Sequence, residues 1–206
     1  MGGGGDKRRF LCYALSWQGQ EGEDSMIRKA EEKDIPAIAE TYTALLTWEK
    51  EHGGQSNWVL DVYPTAAVPR EKVPRGEMFV LEEDGEVLAS MVLNQEQLPE
   101  YAGIPWAYAA DPEHVLVIHT LCVPPAKAGR GFGTRMIAFA LSHARSMGCT
   151  VIRIDTYAHN ERAKALYLKN GFRLAGYADS LFMGVIPEEL AFLERTVDEG
   201  RPGNQV

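Results

Sequence analysis

The 206-residue sequence has few cysteines, no long apolar run and no excess of basic side chains. Its three cysteines, Cys12, Cys122 and Cys149, are odd in number and widely spaced, which disfavours a disulfide framework or a zinc site and favours a reducing compartment. No stretch approaches the roughly 20 apolar residues that a membrane span requires. The 29 acidic residues outnumber the 21 basic ones, and the resulting net charge of -8 disfavours general nucleic-acid binding. We therefore expect a cytoplasmic protein with neither nucleic acid nor a membrane as its partner.

Two common nucleotide-binding motifs are also missing, although the chain contains a glycine-rich turn. Gly129, Gly131 and Gly133 follow an apolar run and precede a helical pattern, with Arg130 between the first two. Backbone N–H groups at a helix N-terminus attract phosphate, and glycine lets the main chain approach it closely. The turn lacks the Gly-Lys-Ser/Thr of a P-loop, and Met136 replaces the last glycine of the dinucleotide fingerprint. Two interpretations stay open for the turn alone: another kind of phosphate site, or a tight turn that simply requires glycines.

Hydrophobic periodicity predicts one α/β domain (α+β mixed) rather than several. The chain is 45% hydrophobic, which is enough for one sizeable core. A helix is predicted from Asp34 to Gly53, and a hairpin around Asp84-Gly85. A mixed sheet with helices on both faces is expected, together with a long loop at 95–113. The remaining elements are predicted as a strand at 114–123, a helix at 131–147, a strand at 150–157, a helix at 160–170, a strand from 172, a last strand at 180–186 and a short helix from Pro187.

The two ends of the sequence differ in composition from its middle. Residues 1–25 carry a glycine run, a basic cluster and an apolar patch from Phe10 to Trp17. That patch is too short for a typical signal peptide and has no small-residue cleavage site after it. We predict a mobile extension at 1–25, a folded domain at 26–198 and a flexible tail at 199–206.

A second motif, NERAKALYLKNGF, occupies residues 160–172. Asn160 is a good helix N-cap, and Gly171 is suited to end the helix. Ala163, Leu166 and Tyr167 follow Asn160 at spacings of three, six and seven, which places Ala163, Leu166 and Tyr167 on one helix face. An isolated tyrosine at such a position is usually a core residue, so its role depends on the motif around it.

The two motifs together resemble the GNAT superfamily of N-acetyltransferases, over residues 26 to about 186. The family signature is [QR]-x-x-G-x-[GA], after a strand that ends in an apolar-x-Val-x-Pro pattern. This chain offers LCVPPAKAGRGFGTRM, with Leu121, Val123 and Pro125 in the strand pattern and the last two glycines in the signature. One position departs, because Ala128 stands where glutamine or arginine is usual. The second motif matches N-x-x-A-x-x-L-Y-x-x-x-G-F at every fixed position.

The resemblance implies a GNAT-like fold, with a mostly antiparallel sheet in which the fourth and fifth strands part at a bulge to admit acetyl-CoA. Acetyl-CoA would be a co-substrate, and no metal is implied. Backbone groups of Leu121, Cys122 and Val123 would bind the pantetheine arm. Asn160 would contact the cofactor from the opposite wall. The pyrophosphate would lie on the glycine turn, formed by Gly129, Arg130, Gly131, Phe132, Gly133 and Thr134.

The implied reaction is direct acetyl transfer to a primary amine of a small molecule or peptide. Tyr167 would be the general acid, because its motif position carries that role in many family members. The base would be Asp155 or His119, with a slight preference for Asp155. Strand alternation would place His119 on one face with Leu121 and Val123. Each candidate base also has a purely structural interpretation: His119 as a hydrogen-bonded structural histidine, and Asp155 as a salt-bridge or capping residue. A catalytically silent acyl-CoA-binding sensor is the rival function, and a homodimer stays open.

Overall fold

Seven strands form a single sheet, in the order β1-β2-β3-β4-β5-β7-β6. The computed structural model describes residues 26–182, 184 and 186–198. All neighbouring strands are antiparallel except β4 and β5, which are parallel. The predicted mobile extension and flexible tail lie outside the described residues. The strands are β1 (Met26–Lys29), β2 (Met78–Glu83), β3 (Glu86–Asn94), β4 (Val115–Cys122), β5 (Val151–Tyr157), β6 (Arg173–Phe182) and β7 (Ile186–Thr196).

Helices cover both faces of the sheet, as the sequence predicts. They are α1 (Ile35–His52), α2 (Ala67–Lys72), α3 (Phe132–Ser146) and α4 (Glu161–Lys169). One face packs against α3 and α4, around Met136, Ala140 and Tyr167. The other face packs against α1 through Ile38 and Tyr42. No helix among the described residues combines the length and apolar character that a membrane span needs.

Strands β4 and β5 part halfway along their length. Their pairing runs from Val115↔Val151 to Val117↔Arg153 and goes no further, although β4 continues to Cys122 and β5 to Tyr157. A bulge lies in the half of β4 that is not paired with β5. From Val92↔His119 to Ser90↔Cys122 the chain advances three residues on β4 but only two on β3. The parting that the family resemblance implies is therefore present.

The bulge corrects the predicted alternation of β4. Thr120 takes a left-handed φ of 49°, and the strand reverses its inward face there. Before the bulge Ile118 packs toward α3, whereas after it Leu121 and Val123 do. His119 therefore lies on the opposite face from Leu121 and Val123, since one extra residue inverts the period-two pattern.

The C-terminal elements also differ from the prediction. The last strand expected at 180–186 straddles the end of β6 and the start of β7, and the short helix expected from Pro187 is instead part of β7. Pro187 pairs with Leu181 of β6 but precedes the pairing with β5, which begins at Leu190↔Tyr157. Its missing N–H therefore costs no bond to β5, and a proline is tolerated near the start of the strand.

The predicted long loop at 95–113 covers the face of β4, β5 and β7 that α1 leaves open. It contains two 3-10 turns, Pro99–Gly103 and Pro112–His114. Tyr101 and Ile104 pack onto Val117 and Phe192 of the sheet. The loop is thus part of the core rather than a mobile excursion.

Candidate active site

A cleft of about 790 Å³ opens where β4 and β5 separate. Its walls come from both strands, the glycine turn, α4, the end of α1 and the β6–β7 hairpin. The main chain of a parted strand has N–H and C=O groups without partners in the sheet, so it can bind an extended ligand. The cleft is therefore a candidate binding site that the sheet topology itself creates.

The glycine turn forms one end of the cleft, and its geometry fits a phosphate-bearing ligand. Gly129 and Gly131 have φ of 79° and 82°, in the left-handed region that favours glycine. A Cβ added at either position would meet no atom within 4 Å, so both point into open space. At Gly133 a Cβ would lie 2.9 Å from Leu166 Cδ2, so this glycine serves the close packing of α3 against α4. The 15-residue helix α3 begins directly after Gly131, with its N-terminal dipole toward the turn.

The second motif forms the facing wall. The Asn160 side chain accepts a hydrogen bond from the Ala163 N–H at 3.0 Å and caps α4, as predicted. Tyr167 lines the cleft although only 5% of it is exposed. Burial raises the pKa of its phenol, and the negative charge of Asp155 raises it further. The hydroxyl therefore keeps its proton at neutral pH.

Most of the predicted site residues line this one cleft. Cys122 does not, because its side chain is buried toward α1 with Sγ 3.8 Å from the Thr41 carbonyl oxygen, and burial raises its pKa to about 12. Arg130 is exposed and pairs with Glu83 at 3.2 Å. The predicted residues along the cleft are His119, Leu121, Val123, Gly129, Gly131, Phe132, Gly133, Thr134, Asp155, Asn160 and Tyr167. Their roles stay predictions.

Asp155 lies on β5 at the point where β4 has moved away. The Tyr101 hydroxyl donates to its Oδ1 at 2.7 Å. Desolvation by the surrounding protein raises the pKa of Asp155 to about 6, and the charges of Glu188 and Glu100 add to the rise. A carboxylate of this kind is largely ionised at pH 7 yet binds a proton more readily than an ordinary aspartate.

His119 has a different environment. Its Nε2 lies 2.9 Å from Asn94 Oδ1, which also accepts the Glu96 N–H. Since that oxygen is an acceptor, the imidazole is the donor in this bond. Burial lowers the pKa of His119 to about 4, so the ring is neutral at pH 7 and binds a further proton poorly.

Several residues of the cleft were not predicted. Tyr63 reaches it from the segment between α1 and α2, with its hydroxyl 2.9 Å from Thr120 Oγ1 on the bulge. Trp48 and Trp58 also line the cleft, whereas Trp106 packs against Tyr101 and Phe192 in the core. Neither Tyr63 nor Tyr101 belongs to a motif, so no local signal identifies them.

A single group of side chains in the described part of the chain has metal-ligand spacing. Ligand atoms of Asp111, Glu113 and His114 lie within 4.8 Å of one another, and all three residues are exposed. They are not among the residues of the cleft. Exposed acidic groups of this kind are common, and the expected absence of a metal stays a prediction.

Comparison with known proteins assigns the chain to a class of enzymes. The model of the acetyltransferase (GNAT) family matches residues 36–172, about two thirds of the sequence. The chain therefore belongs to the GNAT family of N-acetyltransferases.

Its curated relatives align with the chain over only part of their length. The chain is 28% identical over 126 residues to the mycothiol acetyltransferase of Parafrankia sp., an alignment covering 60% of this chain and 39% of that protein. It is 31% identical over 116 residues to the N-alpha-acetyltransferase RimI of Mycobacterium tuberculosis, covering 56% and 65% respectively. The chain thus spans less than two thirds of the length of either relative.

Solved structures share the fold at low sequence identity. A GNAT-family acetyltransferase from Streptococcus agalactiae superposes with a TM-score of 0.70 at 17% identity, over 84% of this chain and 95% of that one. The yncA protein of Salmonella typhimurium, solved with its cofactor acetyl-CoA, gives a TM-score of 0.60 at 20% identity, over 89% and 99%. These likenesses support the fold.

Proposed function

We propose that the protein transfers the acetyl group of acetyl-CoA to a primary amine of a small molecule or peptide. The observation that carries the proposal is the parting of β4 and β5 beyond Val117 and Arg153, directly above a glycine turn that opens a helix. An extended ligand could therefore bind to unpaired main-chain groups at one end of the cleft. Its phosphates could bind to the glycine turn at the other end.

The residues proposed to hold the donor are those around the bulge and the turn. Main-chain groups from Leu121 to Val123 would bind the pantetheine arm, and N–H groups from Gly129 to Thr134 would bind the pyrophosphate. Acetyl-CoA supplies an activated acetyl thioester. A backbone N–H of β4 near its carbonyl would stabilise the negative charge that develops on that oxygen.

Proton transfer is assigned to two groups that line the cleft, one on β5 and one on α4. An amine is protonated at neutral pH and must lose a proton before its nitrogen attacks the acetyl carbon. Asp155 is the proposed acceptor of that proton, because its raised pKa makes it a better base than His119. As the C–N bond forms and the C–S bond breaks, the Tyr167 hydroxyl would protonate the departing thiolate, and the second proton that the nitrogen loses would restore the Tyr167 phenol.

Thiol release tests the proposal directly. The full chain would be incubated with acetyl-CoA and a panel of primary amines, and free CoA thiol would be followed with a chromogenic disulfide. Amine-dependent release, with the acetylated amine identified by mass, is the expected result. Calorimetric CoA binding without release on any amine would replace the proposal with the silent-sensor function.

A further inference from the structure

A second cavity of about 890 Å³ adjoins the cleft beside β5 and the β6–β7 hairpin. Its lining contains four carboxylates and neither lysine nor arginine. The two cavities adjoin, and both are lined by Leu98, Tyr157, Ser180, Leu181 and Glu188. The four carboxylates are Glu100, Asp179, Glu188 and Glu189.

Two of these carboxylates, Glu100 and Glu188, are half-buried and close to the proposed base. The Ser180 hydroxyl donates to Glu100 Oε1 at 2.7 Å, and Asn57 Nδ2 donates to Glu188 Oε2 at 2.9 Å. Among the described residues, no lysine or arginine nitrogen lies within 4.0 Å of either carboxylate. Both charges repel that of Asp155 and raise its pKa.

This arrangement is electrostatically unfavourable in the protein by itself. Glu100 and Glu188 each repel Asp155 in a partly desolvated site, and in the described part of the chain none of the three carboxylates forms an ion pair with a lysine or arginine, although buried acidic groups are ordinarily paired. A cation bound between them would relieve the repulsion. Its binding would also be favoured by every one of these charges.

An aromatic wall lies in the same part of the cleft. The Tyr63 ring contacts Phe182 edge-on at 5.6 Å between centroids and Trp58 at 6.1 Å. All three rings line the cleft, as does Glu188. Aromatic faces pack well against methylene groups and attract ammonium groups.

We propose that the acceptor is an aliphatic diamine, whose unreacted ammonium is bound by Glu100 and Glu188 while its carbon chain packs against Tyr63 and Phe182. The inference rests on the proposed acetyl transfer and names the acceptor class of that same site. The ammonium nearer Asp155 gives up its proton and is acetylated. The distal ammonium forms no covalent bond and stays charged.

A matched series of four-carbon amines isolates the distal group. 1-Aminobutane, 1,4-diaminobutane and 4-aminobutanoate differ at that end by a methyl, an ammonium and a carboxylate. We expect kcat/KM by thiol release to be about tenfold higher for the diamine than for 1-aminobutane, and lowest for the carboxylate, because two partly exposed ion pairs contribute about that factor. The ratio of diamine to monoamine should decrease as salt is added.

Charge-neutral variants test the assigned carboxylates. Glu188→Gln should reduce the diamine-to-monoamine ratio of kcat/KM several-fold. In the double variant Glu100→Gln, Glu188→Gln, the diamine should keep only the advantage of having two equivalent amines that can react. Glu40→Gln, an exposed carboxylate on α1, is the matched control and should leave the ratio unchanged. Calorimetric titration of 1,4-diaminobutane into the CoA-bound protein gives a second readout that needs no turnover.

The outcomes separate this inference from the proposed function. Thiol release with equal kcat/KM for the diamine and the monoamine, or a preference that both Glu→Gln variants retain, would overturn the diamine while leaving acetyl transfer intact. Diamine binding without thiol release would support the acceptor site and reject the transfer. Neither binding nor release would reject both.

Discussion

At the scale of single residues, burial changes the proton affinity of three titratable groups in the cleft, and each change suits a different role. It keeps the Tyr167 phenol protonated, gives the Asp155 carboxyl a pKa of about 6 and leaves His119 neutral with a pKa of about 4. A proton donor needs the first condition, and a proton acceptor working near neutral pH needs the second. The third favours a structural role for His119, whose ring is fixed by Asn94.

The pH profile should distinguish the two candidate bases. With Asp155 as the base, kcat/KM for a reactive amine should rise with pH through a midpoint near 6, because only the carboxylate accepts a proton. With His119 as the base, the midpoint should lie near 4. Steady-state thiol release between pH 4.5 and 8 measures this rise of kcat/KM with pH, the acidic limb of the profile.

Two variants check the assignment of that limb. Tyr101→Phe removes the hydrogen bond that lowers the Asp155 pKa, so the midpoint should shift upward. Asp155→Asn should abolish the limb and raise the thermal midpoint at pH 8. The sign follows because the folded pKa is raised: stability present below pH 3.8 is lost as pH rises through about 6. A limb retained in Asp155→Asn would contradict the assignment.

Tyr167→Phe tests the proposed acid. We expect kcat to fall by at least about 100-fold, since general acid catalysis contributes that much, while the CoA dissociation constant changes little. Tyr42→Phe is the matched control, because Tyr42 is a fully buried tyrosine packed between α1 and the sheet. Rate and CoA affinity measured in parallel decide the matter. Losses of equal size in both would remove Tyr167 from the chemistry.

At the scale of elements, the turn before α3 depends on two glycines with left-handed backbone angles. Gly131→Ala should lower the free energy of unfolding by about 1 kcal/mol, since alanine is disfavoured at positive φ. It should also weaken CoA binding, because the added methyl would project into the space where the pyrophosphate is proposed to lie. Chemical denaturation and calorimetry measure the two effects.

Gly85→Ala is the natural control for that experiment. Gly85 has a φ of 79° in the β2–β3 turn, and a Cβ there would also meet no atom within 4 Å. The same backbone penalty should therefore appear without any change in CoA affinity. If both variants bind CoA as the wild type does, the turn is not the pyrophosphate site.

Local patterns predicted these elements well where the pattern is short-range. The α4 cap at Asn160, the Asp84-Gly85 hairpin and the boundaries of α3 each depend on residues within a few positions of one another. The helix predicted from Pro187 was wrong because the structure of this segment depends on long-range contacts. Pro187 favours a helix start locally, but β7 is stabilised by insertion between β5 and β6, which its own residues do not reveal.

The unpredicted parts of the candidate site also depend on long-range contacts. The bulge at Thr120 inverts the face of His119 without any glycine or proline to mark it. Tyr101 reaches Asp155 across 54 positions, and Glu188 meets Asn57 across 131. Motif matching identifies the residues proposed to bind acetyl-CoA. The residues proposed to bind the acceptor amine come together only in the folded chain.

At the scale of the whole molecule, the position of the 95–113 segment couples the core to the cleft. Tyr101 in this segment holds Asp155, and the Trp106 indole N–H donates to the Tyr101 carbonyl at 2.8 Å. The segment is fixed to β7 by Glu194, whose fully buried carboxylate accepts the Ala107 N–H at 2.7 Å. Arg173 pairs with the same carboxylate. The proposed base therefore depends on a carboxylate on a neighbouring strand.

Glu194→Ala should accordingly affect both stability and catalysis. Removing a buried, paired carboxylate that also accepts backbone N–H groups should lower the free energy of unfolding by about 3 kcal/mol. Glu194→Gln retains an acceptor for Ala107 and should cost less, so it stays measurable if the alanine variant does not fold. Glu189→Ala, exposed on the same strand, should change stability by less than about 0.5 kcal/mol. Urea denaturation ranks the three variants.

At urea concentrations well below its unfolding midpoint, Glu194→Gln should also lose activity, because the segment that carries Tyr101 is less firmly held. An alanine variant as stable as Glu189→Ala would show that the segment is held by its apolar contacts alone.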